Sequence, residues 1–97
     1  MKKAYVIRFY VGLTDKKGQP VSPEVYTRVM KQLYHGYTMF QATGCWKGKM
    51  EYSLVFEVIF ENFTDSVHAA REYTIDLKKA GNQEAVLVTR QEIEAEI

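Results

Sequence analysis

The chain has 97 residues, of which 46% are hydrophobic and 26% charged, and its formal net charge is +1. This balance indicates one small globular domain over residues 1–97 and excludes bulk disorder. The nearly neutral charge argues against a nucleic-acid binder, which neutralises many phosphates. No segment reaches the roughly 20 apolar residues needed to cross a bilayer.

The single cysteine, Cys45, cannot form an internal disulfide, which favours a reducing compartment. The first residues, Met1-Lys2-Lys3, lead into a short alternating run without the continuous apolar segment of a signal peptide. We therefore expect a cytoplasmic protein.

Alternation of apolar residues over 4–13 predicts a first strand. Ser22-Pro23-Glu24 has the residue types of a helix start, so we predict a first helix over 23–34, ended by Gly36. Residues 37–46 and 52–60 are predicted as the second and third strands. Between them, residues 44–51 form either a long hairpin loop or a protruding ribbon.

A second helix is predicted to begin after Asn62 and to end at Gly81-Asn82. Residues 84–89 are predicted as a fourth strand, and the alternating tail as a fifth strand or a short terminal helix. The order β-α-β-β-α-β predicts an α+β, ferredoxin-like sandwich. In it, two helices cover one face of an antiparallel sheet, with a possible extra C-terminal strand.

Motifs for phosphate loops, redox cysteine pairs, zinc proteases and serine hydrolases are all absent from the sequence. His35, Cys45 and His68 do not have zinc-ligand spacing and are interpreted as structural residues. We therefore predict no cofactor and no metal. An RNA-recognition domain shares this topology, but its aromatic third-strand motif is missing, and Glu57 would lie where phosphate approaches.

Trp46 is the most distinctive candidate for a functional residue, because it is flanked by Gly44 and Gly48 and has charged neighbours. A tryptophan in this setting can stack on a planar ligand or anchor a subunit contact, while lysines favour anionic groups. It can equally close the end of the core, with the glycines permitting a bend. The candidate ligand-binding residues are Tyr37, Gly44, Trp46, Lys47, Gly48, Lys49 and Glu51.

Charged residues also fall on the sheet face that the helices leave open. Glu57 and Glu61, with Arg8 and Arg90, are predicted as cross-strand partners there. We interpret this charged row as a solvated face or an oligomer contact, because a catalytic carboxylate would need a second group that shifts its pKa.

Gly36-Tyr37-Thr38, Gly44, Trp46 and Glu51, together with the stretches YVGL and DKKGQPVSPE, resemble the pattern of one protein family. It is a group of small bacterial and phage-associated proteins with the ferredoxin-like fold. The resemblance implies that fold; it implies no reaction, because the members have no assigned activity.

The predicted architecture is similar, more distantly, to the PII and CutA superfamily. Its members are trimers in which the loop between the second and third strands projects, and ligands bind in clefts between subunits. Residues 44–51 make a shorter loop, and the nucleotide-binding residues of PII cannot be matched here. Adenine-nucleotide binding is therefore not implied.

These observations favour a non-enzymatic, regulatory-type domain that binds a small ligand or partner near Trp46. A homo-oligomer, dimer or trimer, is expected through the open sheet face, where Arg8, Tyr10, Val55 and Ile59 make an apolar surface. One alternative is a small enzyme with an acid–base pocket among Tyr37, Trp46, Glu51 and His35. Another is a phage or mobile-element protein that binds a host factor.

Overall fold

A computed structural model describes residues 1–33 and 36–96 of the protein, the side chain of Trp46 excepted. The elements in chain order are β1 Lys2–Gly12, α1 Pro23–Met30, β2 Thr38–Trp46, β3 Lys49–Phe60, α2 Phe63–Ala80 and β4 Leu87–Ala95. The four strands form one antiparallel sheet in the order β2-β3-β1-β4. This confirms the predicted ferredoxin-like α+β sandwich.

The core lies between the sheet and the two helices. Phe9 of β1 lies opposite Phe56 of β3, and both side chains are fully buried. Tyr26 and Met30 of α1 and Leu77 of α2 close the core from the helix side. Burying side chains of this size contributes roughly 1.5–3 kcal/mol each, so this layer is a main source of the hydrophobic stabilisation of the fold.

Both helices begin at side-chain caps, as the sequence predicts. The Ser22 hydroxyl accepts a hydrogen bond from the Glu24 amide at 3.4 Å, and Pro23 occupies the first helical turn. The Asn62 side chain accepts from the Asp65 amide at 3.0 Å. These bonds satisfy amides that have no partner inside a helix.

Two predicted boundaries are wrong. Helix α1 ends at Met30 instead of residue 34, and Gly36 does not cap it. Gly36 instead has a positive φ of 77°, and its amide donates to the Leu33 carbonyl at 3.2 Å. In the same way, the tail is neither a fifth strand nor a helix, because Leu87–Ala95 is one continuous strand that pairs with β1.

Tyr26 joins three parts of the fold at one end of the sheet. Its hydroxyl donates to the Gly12 carbonyl at 2.5 Å and accepts from the Gln83 side-chain amide at 3.0 Å. Burial raises the pKa of the Tyr26 phenol, while the bond from Gln83 opposes that effect. The buried hydroxyl is therefore satisfied, and it connects α1, the end of β1 and the segment after α2.

Candidate functional site

The sheet face turned away from the helices, which we call the open face, carries one row of polar residues. The strand register places four side chains side by side across β2, β3, β1 and β4: Thr38, Glu57, Arg8 and Thr89. An apolar row formed by Phe40, Val55, Tyr10 and Leu87 lies next to it. The polar row interrupts an otherwise largely apolar surface.

Glu57 is held within this row by Arg8. The Arg8 Nε–H donates to Glu57 Oε2 at 2.8 Å, and the two side chains are 29% and 26% exposed. The Arg8 Nη1 also donates to the side-chain oxygen of Gln91 on β4 at 3.1 Å. A charge-assisted hydrogen bond between half-buried groups fixes the orientation of the two side chains far better than an ion pair exposed to water does.

The predicted pairing of charges on this face is therefore right for Arg8 and Glu57 and wrong for the other two residues. Glu61 pairs instead with Lys2 at 3.6 Å, with both side chains largely exposed. Arg90 lies on the helix side of the sheet, where its guanidinium stacks over the Phe63 ring at 4.6 Å. Side-chain alternation explains this, because Arg90 pairs with the core-facing Ile7.

A cleft opens at one side of Glu57, where β3 extends beyond the start of the neighbouring strand β2. Strand β2 begins at Thr38, opposite Glu57, whereas β3 continues to Phe60. The resulting edge cleft has a volume of about 690 Å³ and is lined by Gly36, Tyr37, Thr38, Glu57, Ile59, Phe60, Glu61, Asn62 and Asp65. Small-molecule sites commonly measure roughly 300–1,000 Å³, so the cleft can hold a nucleoside-sized ligand.

The lining of the edge cleft combines carboxylates with apolar groups. Glu57, Glu61 and Asp65 bring three carboxylates to the lining, of which Glu57 is paired with Arg8 and Glu61 with Lys2. Ile59, with 41% of its surface exposed, supplies an apolar wall. The Tyr37 ring stands edge-on against Phe56 at 5.3 Å between centroids, which fixes its position. Such a lining suits a ligand with a cationic part and a flat, apolar part.

The predicted ligand-binding residues are divided between two places. Gly44, Trp46, Lys47, Gly48, Lys49 and Glu51 lie at the tip of the β2–β3 hairpin, whereas Tyr37 lines the edge cleft. Strand β2 has nine residues, so Tyr37 and the hairpin turn are roughly 30 Å apart at about 3.3 Å per residue. The structure does not bring them together within one chain.

The tip itself is a ribbon with a tight turn and not a long loop. Trp46 pairs with Lys49, which leaves Lys47 and Gly48 as a two-residue connection with φ angles of 51° and 76°. Such a pair of positive φ angles is typical of a type I′ hairpin turn. The side chain of Trp46 and the whole of His35 lie outside the described residues. Tyr37 and Glu51, the other two residues of the predicted acid–base pocket, lie near opposite ends of β2, so one chain does not form that pocket.

The sequence marks Glu57 as a charged residue of the open face but predicts no function for it. The available signal was a carboxylate in the middle of an apolar alternating strand, Ser53-Leu54-Val55-Phe56-Glu57-Val58-Ile59. Its position beside a cleft depends on where β2 begins, which the alternation alone does not fix. Among the described residues, no cluster of three or more His, Cys, Asp and Glu is placed to hold a metal ion. No helix in the described ranges is long and apolar enough to span a membrane.

Comparison with known proteins identifies similarity at the level of the fold. No family model matches the chain, and no curated protein matches its sequence. A solved phage SAM lyase in complex with S-methyl-5′-thioadenosine is similar, with a TM-score of 0.73 and 18% identity, over 92% of this chain and 81% of that chain. The same type of enzyme in its apo state has a TM-score of 0.65 and 18% identity, over 91% and 79%.

This finding contradicts the prediction of a non-enzymatic binding domain, because both of these solved structures with the same fold are of an enzyme. The enzyme alternative is better supported. The resemblance to the PII and CutA superfamily and the host-factor alternative stay predictions. The reason for the error is physical: the sequence pattern could not distinguish a solvated glutamate from one that is half-buried beside a cleft.

Proposed function

We propose that this protein is an enzyme that cleaves S-adenosylmethionine and releases S-methyl-5′-thioadenosine at the edge cleft. One observation carries the proposal: Glu57, fixed by Arg8 at 2.8 Å, lines a cleft of about 690 Å³. The similarity to a phage SAM lyase, with a TM-score of 0.73, supports the choice of substrate.

The chemistry of the substrate limits what the cleft must do. S-adenosylmethionine is a sulfonium cation that bears a methyl, an adenosyl and a four-carbon amino-acid group. S-methyl-5′-thioadenosine keeps the first two, so the bond that breaks joins sulfur to the amino-acid chain. The electron pair of that bond moves to sulfur, which becomes neutral, while the substrate's own α-carboxylate attacks the carbon that sulfur leaves. The four-carbon group is thereby released as a lactone that keeps its α-ammonium group, and no further reactant is needed. The positive charge on sulfur is therefore lost in the transition state.

This loss of charge decides the role of Glu57. A carboxylate placed against the sulfonium would stabilise the substrate more than the transition state and would slow the reaction. The α-ammonium group of the substrate keeps its charge throughout. We therefore assign Glu57 to bind this ammonium group, while Ile59 provides apolar surroundings that disfavour the charged sulfonium.

Tyr37 is the residue that suits the adenine ring. It lines the cleft, and its contact with Phe56 holds the ring in place. An aromatic face of this kind can stack on any nucleic-acid base, and such stacking contributes roughly 1–3 kcal/mol per base to binding. Tyr37 is thus the one predicted ligand-binding residue that this proposal uses.

Binding measurements test the assignment of Glu57. Glu57→Gln removes the charge but keeps the shape, and loss of a charge-assisted hydrogen bond of about 1.5–3 kcal/mol weakens S-adenosylmethionine binding roughly 10–100-fold. S-methyl-5′-thioadenosine has no ammonium group, so its affinity by calorimetry stays within about twofold. Glu84→Gln, on an exposed loop, is the matched control and changes neither affinity. Equal weakening of both ligands would contradict the assignment.

A homo-oligomer through the open face and a cytoplasmic location remain part of the proposal. Phe40 and Leu87, at the two ends of the apolar row, are 44% and 61% exposed, and exposed apolar side chains of this size favour burial against another surface. The proposed substrate is an intracellular metabolite, which agrees with the location. Light scattering tests the oligomer, and a monomer at high micromolar concentration would contradict it.

A further inference from the structure

Glu57 is the last member of a hydrogen-bonded series that begins on the C-terminal strand. Gln91 of β4 accepts from Arg8 Nη1 at 3.1 Å, and Arg8 Nε donates to Glu57 Oε2 at 2.8 Å. The three side chains come from β4, β1 and β3, and all lie on the open face. Glu57 lines the edge cleft, whereas among the described residues its lining includes neither Arg8 nor Gln91.

From this geometry we infer that Arg8 and Gln91 are positioning residues for Glu57, and that Gln91 acts on the reaction through Arg8. The inference rests on the proposed function. Arginine has a planar fork of donors, so fixing one nitrogen of the fork also fixes the direction of the others. With Nη1 held by Gln91, the Nε–H is directed at Glu57 Oε2, and the orientation of the carboxylate is set before a ligand arrives.

The strand register makes this arrangement specific. Gln91 pairs with Val6 in the backbone ladder, which puts its side chain on the open face, diagonally next to Arg8. A slip of one residue would turn Gln91 towards the helices and bring Arg90 or Glu92 to the open face. The C-terminal strand therefore contributes to the site although no residue of it lines the cleft.

A double-mutant cycle with purified full-length protein tests this inference. Gln91→Met keeps the length of the side chain and removes the acceptor oxygen. We expect it to lower kcat/KM for S-adenosylmethionine about 3–10-fold, and Arg8→Gln to lower it at least 10-fold. Arg8→Lys, which keeps a donor without the fork, is expected to fall between wild type and Arg8→Gln. In the Arg8→Gln background, Gln91→Met causes no further loss, because residues of one network are not additive.

Two controls separate positioning from simple destabilisation. Gln41→Met alters an exposed glutamine on β2, opposite the core-facing Leu54, and leaves kcat/KM unchanged. Affinity for S-methyl-5′-thioadenosine stays within about twofold in Gln91→Met, since that ligand lacks the ammonium group assigned to Glu57. A general loss of structure would weaken both ligands and lower the melting temperature as well.

Carbon-13 NMR of labelled glutamate carboxyls gives a readout that does not depend on activity. The Glu57 resonance, assigned by its absence from Glu57→Gln, moves in Gln91→Met and stays in place in Gln41→Met. If this shift occurs while the wild type releases no S-methyl-5′-thioadenosine, the proposed function fails and the positioning series stands. If the wild type is active but Gln91→Met shows neither the resonance shift nor a lower kcat/KM, the inference is overturned.

Discussion

Gly81 lies directly against the phenol of Tyr26, and a β-carbon on Gly81 would overlap the hydroxyl oxygen and the ring. Both residues are buried. The backbone after α2 therefore approaches α1 as closely as it does because this residue has no side chain. The contact sets the end of α2 against the same tyrosine that binds the Gly12 carbonyl.

Substitution of Gly81 by alanine is therefore expected to be strongly destabilising. The added methyl group forces Tyr26 to move away from its hydrogen-bond partners, and overpacking of this kind reduces the free energy of unfolding by about 1–3 kcal/mol or more. Denaturant unfolding measures the change. Gly44→Ala is the control, because nothing lies within 4 Å of the added carbon, and it is not expected to destabilise. Equal stability of the two variants would contradict the close contact.

The Tyr26 phenol predicts a loss of stability in alkali. Burial raises its pKa above the ordinary value of 10.0, so stability is complete below that value and falls as pH rises through the folded-state pKa. Burial also raises the pKa of Tyr73, which gives the same direction of pH dependence to stability. Tyr26→Phe isolates the first contribution: the alkaline decline in melting temperature becomes shallower. An unchanged alkaline profile in this variant would contradict the prediction.

Asp15 predicts the opposite dependence, in acid. Its carboxylate accepts the amide of Gln19 at 2.8 Å, and this bond is the main reason that its pKa lies below 3.8. The amide of Lys17 adds to the effect. Stability from a lowered pKa is complete above the unfolded-state value and is lost as pH falls through the folded-state value.

Asp15→Asn is accordingly expected to lower the melting temperature slightly by a constant amount above about pH 5. The difference from the wild type shrinks as pH falls below the unfolded-state pKa of about 3.9, and it is lost below the lowered folded-state pKa, where the native carboxylate is also protonated. Thermal unfolding between pH 2 and pH 7 measures it. A difference that persists undiminished at pH 2 would show that the charge of Asp15 does not stabilise the loop.

The hairpin turn gives a prediction that depends on backbone conformation and not on a steric clash. Gly48 has a φ of 76° with nothing near its missing side chain, so Gly48→Ala meets no atom but must adopt a left-handed backbone. The expected loss is about 1 kcal/mol of unfolding free energy. Gly44→Ala, in the same hairpin without a positive φ, is again the control. No difference between the two variants would argue against the two-residue turn.

The fold was predictable because the local signals agree with one another. The alternation in β1 and β3 and the caps Ser22 and Asn62 each point to the element that the structure contains. The end of α1 was not predictable from Gly36, since a glycine adopts a positive φ in places other than a helix end, and this one lies beyond the end of α1 at Met30. The tail was misjudged because alternation reveals a strand without revealing where the preceding strand stops.

The candidate site was less accessible to sequence reasoning. The sequence predicts Tyr37 as a ligand-binding residue and Glu57 as part of a charged row. They line the same cleft because β2 starts opposite Glu57, and that register comes from the pairing of strands far apart in sequence. Trp46 is the single tryptophan of the chain and is flanked by glycines, a pattern that suggests a ligand site but also fits a tight hairpin turn.

The most direct measurement of the central claim is the release of S-methyl-5′-thioadenosine from S-adenosylmethionine, followed by mass spectrometry. Wild-type protein is expected to release it catalytically, and Glu57→Gln to lose roughly 10–100-fold of kcat/KM, equivalent to about 1.4–2.7 kcal/mol, because the ammonium contact is the same in substrate and transition state. Glu84→Gln is expected to match the wild type. Absence of release by the wild type, or full activity of Glu57→Gln, would contradict the account.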